Sequence, residues 1–417
     1  MIPPQPTPAE RPLKVAVWGI NYAPEVTGIA PYNVALCRYL IGHGHEARMV
    51  TTFCYYPAWK KLPEDAGRIY RTDVVDGVPV HRCWHYVPAK PNSVKRILHE
   101  ATYVFFSFLR LVVLPRADVY VVVSPPLLQG FAAWMLTRLK GSRFVFHVQD
   151  LQPDAAVGLG MLKPSLLTRA LYWLEGFAYR KAALVSGISQ GMMQAYRRKG
   201  VPQEKTHLFY NGVNLGAEPP RANGAFRRRN GFASDEFLGI YSGNLGVKQG
   251  LGILLDAASW VRNPKVRIVV CGDGADRLRL EERVRTEKLT NVSLLPLQPK
   301  EHYAEMLADA DVSLITQQAG SGGFFFPSKL LSSLAAGKAV VTVADEDSEL
   351  VLALREGGFG HNIGPGCPKE LASLLDRLAE DPSGLATLGA NGRSYVQRFQ
   401  FDEVHGAFID RIRQLVR

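Results

Sequence analysis

The sequence predicts an α/β protein of two domains, each a mostly parallel sheet doubly wound by helices. Three observations predict it. Short apolar runs alternate with helix-length segments from Lys14 to Asn214, and again from Phe237 to Val343. Between the two series, residues 215–235 are polar and rich in Arg, Pro and Gly, as a linker would be. Glycine-bearing loops recur where the predicted strands of the second series end. A chain of 417 residues with 47% hydrophobic and 21% charged residues can bury two cores. Its net charge of +11 favours anionic partners: nucleotides, anionic lipid or nucleic acid. Cys37, Cys54, Cys83, Cys271 and Cys367 are odd in number and scattered without a C-x-x-C, which argues against a disulfide framework or a structural zinc. Residues 1–12 have no apolar core and read as a disordered lead-in rather than a signal peptide, so the expected compartment is the cytoplasm.

In the first domain, Lys14–Gly19 is a strand, residues 21–28 (NYAPEVTG) a loop, Ile29–Gly42 a helix and His45–Thr52 the next strand. The loop is not G-x-G-x-x-G, so a dinucleotide site is disfavoured. Phe53–Pro88 is aromatic and irregular, either a recognition loop or a hairpin on the sheet edge; recognition leads, with Tyr55, Tyr56 and Trp59 as candidate contacts. Val94–Leu114 is apolar but interrupted by His99, Glu100 and Arg110, so it does not span a membrane. It reads as a core helix of the sheet. The alternative is a surface helix resting on an anionic bilayer through Lys90, Lys95, Arg96, Arg110 and Arg116. Val119–Ser124 is a strand, Leu127–Lys140 a helix, and the strand Phe144–His147 delivers His147, Asp150 and Asp154 at its carboxyl end, where open parallel sheets bind ligands. Helices at Leu166–Lys181 and Gly191–Lys199 and strands at Ala183–Ser189 and Thr206–Asn214 complete the domain.

The second domain opens with strand Phe237–Tyr241 and the loop SGNLGVKQG, in which Gly243 and Gly246 free the backbone and Lys248 precedes a helix. Such a loop can cradle a diphosphate through N–H groups and one cation. Val266–Cys271 leads to a tight CGDG turn containing Gly272. Val312–Thr316 leads to GSGGFFFPSKLL, where Gly322 and Gly323 turn the chain and Pro327, Ser328 and Lys329 open a helix that stops at Gly337. Proline suits the first helical position, and the amides, hydroxyl and ammonium there make an anion site. Three such loops at consecutive strand ends point to a nucleotide-diphosphate site.

The segments NYAPEVTGIAPY, HVQDLQPD, YNGVN, SGNLGVKQG, CGDG, FPSKLLSSLAAGKAVV, DSEL and NGRSYVQRF, in that order, resemble the family-4 retaining glycosyltransferases of the bacterial exopolysaccharide, colanic-acid and O-antigen branch. The resemblance implies GT-B architecture, two Rossmann-like domains facing a cleft. The acceptor domain would be 13–214, the linker 215–235 and the nucleotide-sugar domain 236–394, with a last helix in 395–417 crossing back. It implies a hexosyl or fucosyl transferase, retaining and metal-independent, with no cofactor. The donor would be a nucleotide-diphosphate sugar and the acceptor a polyprenyl-diphosphate-linked sugar, met at the anionic inner face of the plasma membrane. His147, Asp150 and Lys248 would carry the chemistry. Gly28 would approach the sugar phosphate, Asn244 stands where many relatives have arginine, and Leu297 would meet the base. The family's paired glutamates fall at Phe324 and Ser332, neither acidic, and Glu349 is the candidate replacement. The competing readings are an epimerase or phosphorylase on the same fold, and a non-catalytic nucleotide-sugar-binding subunit. Nucleic-acid binding fits poorly, because the basic residues are dispersed among acidic ones.

Overall fold

The computed structural model describes residues 11–26, 28–56, 58–90, 92–158, 165–320 and 328–416. The chain divides into two compact units, Met1–Tyr210 with Phe401–Arg417, and Asn211–Gln400.

The first unit contains β1 (Lys14–Trp18), α1 (Ala30–Gly42), β2 (Glu46–Thr52), β3 (Tyr70–Val75), β4 (Val78–Cys83), α2 (Ser93–Val113) and β5 (Val119–Ser124). It continues with α3 (Gln129–Lys140), β6 (Arg143–Val148), α4 (Gln152–Gly158), α5 (Leu166–Lys181), β7 (Leu184–Gly187), α6 (Gln190–Arg198) and β8 (Thr206–Leu208). Its sheet order is β3-β4-β2-β1-β5-β6-β7-β8. Every pairing is parallel except β3 with β4. The near-continuous apolar strands, such as VYVVVS in β5, are buried along their whole length because helices cover both faces.

The order also fixes which helix covers which face. The chain moves one way across the sheet from β1 to β2, and the other way from β4 through β8. Right-handed crossovers therefore put α1 on one face and α2, α3, α5 and α6 on the other.

Three expectations change here. Residues 70–83 of the segment 53–88 form the edge hairpin β3–β4, closed by an Asp76-Gly77 turn with positive φ at both residues, and Pro63–Asp65 makes a short 3-10 turn before it. Helix α2 is neither simply core nor simply surface: Tyr103, Val104, Ser107 and Leu111 pack inward while Val94, Phe105 and Val112 stay exposed. Arg110 turns inward, donating to the Thr72 hydroxyl at 3.0 Å and lying over the Tyr70 ring, so it is not one of the outer cations.

The second unit contains α7 (Ala225–Arg229), β9 (Phe237–Asn244), α8 (Gly252–Ala258), β10 (Val266–Asp273), α9 (Arg277–Thr286), β11 (Val292–Leu295), α10 (Lys300–Asp309) and β12 (Val312–Thr316). Then come α11 (Ser328–Ala335), β13 (Ala339–Val343), α12 (Glu349–Gly357), β14 (Gly360–Ile363), α13 (Pro368–Glu380) and α14 (Leu385–Tyr395). All its strands are parallel, in the order β11-β10-β9-β12-β13-β14. The polar stretch 215–235 is not all connection. The Asp309 carboxylate accepts from the amides of Asn223, Gly224 and Phe226, and Phe226 is fully buried, so α7 is built into this unit. The last helix, α15 (Phe401–Val416), belongs to the first unit, where Phe408, Ile409 and Ile412 join Val17, Leu40 and Phe209 in one core.

Candidate functional site

In an open parallel sheet, ligands bind at the carboxyl ends of the strands where the strand order reverses. In the second unit that point lies between β9 and β12. These strands pair only at Val312↔Gly239 and Ser313↔Ile240, although β9 runs on to Asn244 and β12 to Thr316. Beyond Ile240 they part, and the Lys248 loop and α11 close around the opening. The Thr316 hydroxyl donates to the Gln249 carbonyl at 2.5 Å, and the Gln318 amide to the Lys248 carbonyl at 3.0 Å. Gly250, at φ +62°, lets the loop lie against the Gln318 backbone.

Lys329, near the start of α11, points into this opening. Its ammonium donates to the Tyr241 hydroxyl at 2.5 Å, lies 3.9 Å from the Tyr241 ring centre and reaches the Gln249 side-chain carbonyl at 3.5 Å. Gly243, at φ +141°, leaves room for it, since a Cβ there would sit 3.4 Å from Lys329 Cε. Burial, reinforced by the nearby Lys248 cation, pulls the Lys329 ammonium down to about 7. Two lysines thus converge where, among the described residues, no carboxylate acts on Lys329. A bound anion is the ligand that two converging cations suit.

The other expected donor residues divide. Asn244 is exposed and Gly246 and Lys248 half-buried on the same loop. Leu297 is exposed on the loop after β11, the edge strand. Gly272 is explained by packing alone, since a Cβ there would lie 1.9 Å from the Gly243 carbonyl oxygen, in the β9–β10 pairing. Ser332 uses its hydroxyl within the fold, donating to the Lys329 carbonyl at 3.1 Å and meeting the Tyr303 hydroxyl at 3.1 Å. Glu349 is the first residue of α12, after the cap Ser348, where a carboxylate complements the positive helix end. Gly322, Gly323, Phe324 and Pro327 lie outside the described residues, as does the Ser328 side chain.

In the first unit the order reverses between β1 and β5. There the loop after β1 is a built structure. The buried Glu25 carboxylate accepts from the amides of Tyr55 and Tyr56, both at 2.9 Å, and from the Asn21 side chain at 2.8 Å. Gly28 is exposed at φ +65°. Tyr55 is buried against Trp59, His85 and His99, while Tyr56 and Trp59 remain half-buried. His147 is 3% exposed and packs on Phe209 and Phe408. Its Nδ1 meets the Ser186 hydroxyl at 2.9 Å and its Nε2 the Gln149 amide at 2.8 Å. Burial pulls it down to about 3, so the ring is neutral. Asp150, half-buried, starts the loop beyond. Asp154 is accounted for structurally: it shares the Lys199 ammonium with the buried Glu175, tying α4 to α5 and α6.

Residues 27–212 match the Glycosyl transferase 4-like domain, and residues 223–395 match Glycosyl transferases group 1. The chain is 32% identical over 346 residues, 81% of its length and 85% of the relative's, to the putative colanic acid biosynthesis glycosyl transferase WcaI of Escherichia coli. It belongs to the family-4 glycosyltransferases. Among solved structures, sucrose-phosphate synthase from Thermosynechococcus elongatus superposes with a TM-score of 0.76 at 19% identity, covering 96% of this chain and 98% of that one. HepE of Anabaena in complex with UDP-glucose superposes with a TM-score of 0.71 at 17% identity, covering 96% and 100%. The fold is GT-B.

Some site-forming residues of this glycosyltransferase were not singled out from the sequence. Glu25 lies within the NYAPEVTG loop, yet nothing local shows that it reaches the amides of residues thirty positions on. Glu100 carries a carboxyl raised to about 7 by burial, against a hydrogen bond from Gln152 and the Arg96 charge. Gln152 in turn accepts from the Leu127 amide at 3.1 Å, so loops after β5 and β6 meet the start of α2. A carboxylate interrupting an apolar helix was the available signal.

Proposed function

We propose that this glycosyltransferase moves a hexosyl or fucosyl unit from a nucleotide-diphosphate sugar to a polyprenyl-diphosphate-linked acceptor, with retention of configuration, in exopolysaccharide or O-antigen assembly. The observation that carries the reading is the parting of β9 and β12 around Lys248 and Lys329. When the bond to the sugar breaks, negative charge grows on the leaving diphosphate. Two fixed ammoniums and loop amides in a partly dry opening stabilise that charge most as it develops. In this proposal they do so without a resident metal. Asn244, Gly246 and Leu297 extend the donor contacts, with Gly243 keeping the space open.

The acceptor falls to the first unit, where Gly28, Tyr56 and Trp59 line the carboxyl ends and Tyr55 supports them from beneath. His147, neutral and gripped at both nitrogens, acts as a positioning residue for the loop bearing Asp150, which faces the transferred sugar. HepE, described with UDP-glucose, supports the donor class, and WcaI, named for colanic acid biosynthesis, supports the exopolysaccharide setting. The protein works peripherally at the cytoplasmic face of the plasma membrane, where donor and lipid-linked acceptor meet.

The test is transfer of labelled sugar from a panel of nucleotide-diphosphate sugars to polyprenyl-diphosphate-linked acceptors in detergent, with the product anomer read by NMR. One donor is expected to support transfer with its configuration kept. Inversion would refute the mechanism. Donor binding without transfer to any acceptor would instead favour a nucleotide-sugar-binding subunit, the reading suggested by Ser332.

A further inference from the structure

Helices laid on a sheet usually turn polar side chains outward. Three neighbouring helices of the first unit do not. On α2, the positions spaced by three or four residues that leave the sheet include Ile97, Phe105 and Leu109, and Phe105 is 57% exposed. On α3 the outward residue Leu139 is 67% exposed, and on α5 Leu166 and Trp173 are outward, Trp173 at 60%. The crossover rule puts α2, α3 and α5 on one face of the sheet, and α2 packs on α3 and α3 on α5. The surface is continuous between α3 and α5, where Phe131, Trp134 and Trp173 all pack on Phe177.

The charges on these helices are one-sided. Lys95 and Arg96 on α2, Arg138 on α3, and Arg169, Arg180 and Lys181 on α5 are all exposed. The three helices carry only two carboxylates, Glu100 and Glu175. Glu175 is buried against Lys199, and Glu100 is held with its carboxyl raised to about 7. An apolar patch of this kind needs a partner. A protein surface would meet it with charges of both signs, whereas exposed apolar side chains rimmed by cations alone, with an exposed tryptophan, match an anionic lipid leaflet.

We propose that the outer faces of α2, α3 and α5 form one platform that lies on an anionic bilayer. This deepens the membrane-bound acceptor of the proposed function, on which its purpose rests. It differs from docking through α2 alone, because α3 and α5 share the contact and Arg110 takes no part.

Flotation of the full chain with phosphatidylglycerol–phosphatidylcholine vesicles tests the platform without donor or acceptor, so its failure is separable from a failure of sugar transfer, which is assayed in detergent. Binding is expected at low salt, weakening at high salt and on pure phosphatidylcholine. Lys95→Gln, Arg138→Gln and Lys181→Gln should each lower partitioning about fivefold, since each contributes about one unit of 1 kcal/mol near the surface. Phe105→Ser, Leu139→Ser and Trp173→Ser should each weaken binding, with melting temperature and nucleotide binding confirming the fold. Wild-type protein that ignores anionic vesicles at low salt would overturn the proposal. So would loss of binding on Phe105→Ser with no change on Leu139→Ser and Trp173→Ser, or a dimer in solution that hides Trp173 from quenchers and leaves vesicles unbound.

Discussion

Lys329 gives the sharpest handle on the proposed donor site, because its surroundings make anion binding depend on pH in a defined direction. Without ligand its neighbours are the Tyr241 ring and hydroxyl, the Gln249 amide and the Lys248 cation, and its ammonium is pulled down to about 7. A diphosphate charge about 4 Å away contributes roughly 4 kcal/mol at an effective dielectric of about 20, equivalent to about three pKa units. Binding should therefore return Lys329 towards the ordinary lysine range and take up close to one proton. Affinity is then full below pH 7 and falls as pH rises towards about 10. Because Lys329 is half-buried, screening reduces the slope to roughly threefold to tenfold per pH unit. Stability of the free protein runs the opposite way. The folded-state value is depressed below the unfolded one, so between pH 7 and about 10.5 the unfolded chain binds more protons and stability rises with pH. Calorimetric titration with a nucleoside diphosphate from pH 7 to 9.5, in two buffers of different ionisation enthalpy, reads both affinity and proton uptake. The second phosphate ionisation, near 6, is complete over this range. Lys329→Met should bind more weakly and lose both the slope and the uptake. A flat wild-type profile, or the same slope in Lys329→Met, would refute the reasoning.

Other outcomes follow from the same geometry. Lys248→Ala should weaken donor binding and slow transfer together by about 1.5–3 kcal/mol, the worth of one charge-assisted contact, as read by titration and initial rates. Glu25→Ala leaves the Tyr55 and Tyr56 amides without their acceptor, so stability should fall by about 1–3 kcal/mol per orphaned group. Its acceptor KM should rise while donor affinity holds; unchanged denaturation and KM would contradict the role. His147→Ala removes a buried ring that packs against the stacked Phe209 and Phe408 rings and should lower the melting temperature as well as turnover. His147→Gln, which can keep part of the bonding to Ser186 and Gln149, should recover more turnover than His147→Ala if the ring positions the Asp150 loop.

Much of this fold is legible in the sequence because parallel strands buried on both faces read as short apolar runs between helices. Strand β5, with VYVVVS, and strand β13, with AVVTV, are of this kind. The edge hairpin ranks second to a recognition loop in the sequence because β3 alternates half-buried and exposed residues and hides among loop aromatics. The Lys248 loop was visible because glycines and a cation sit together in sequence. What periodicity does not show is facing. It gives no sign that Arg110 turns in towards Thr72, that His147 is sealed by a helix arriving from residue 401, or that the outer stripes of α2, α3 and α5 adjoin. Gly272 looked like a phosphate turn because a loop glycine that yields to a neighbouring carbonyl is identical in sequence to one that yields to a ligand.

The central claim is that the opening between β9 and β12 grips a diphosphate through Lys248 and Lys329. The most direct measurement is the ratio of affinities for a nucleoside diphosphate and the matching monophosphate, in wild type and in the double variant Lys248→Met, Lys329→Met. The account predicts at least a tenfold preference for the diphosphate in wild type, of the order expected from about 1.5–3 kcal/mol per charged contact, and its collapse in the double variant. Equal affinities in wild type, or a preference that survives loss of both lysines, would contradict it.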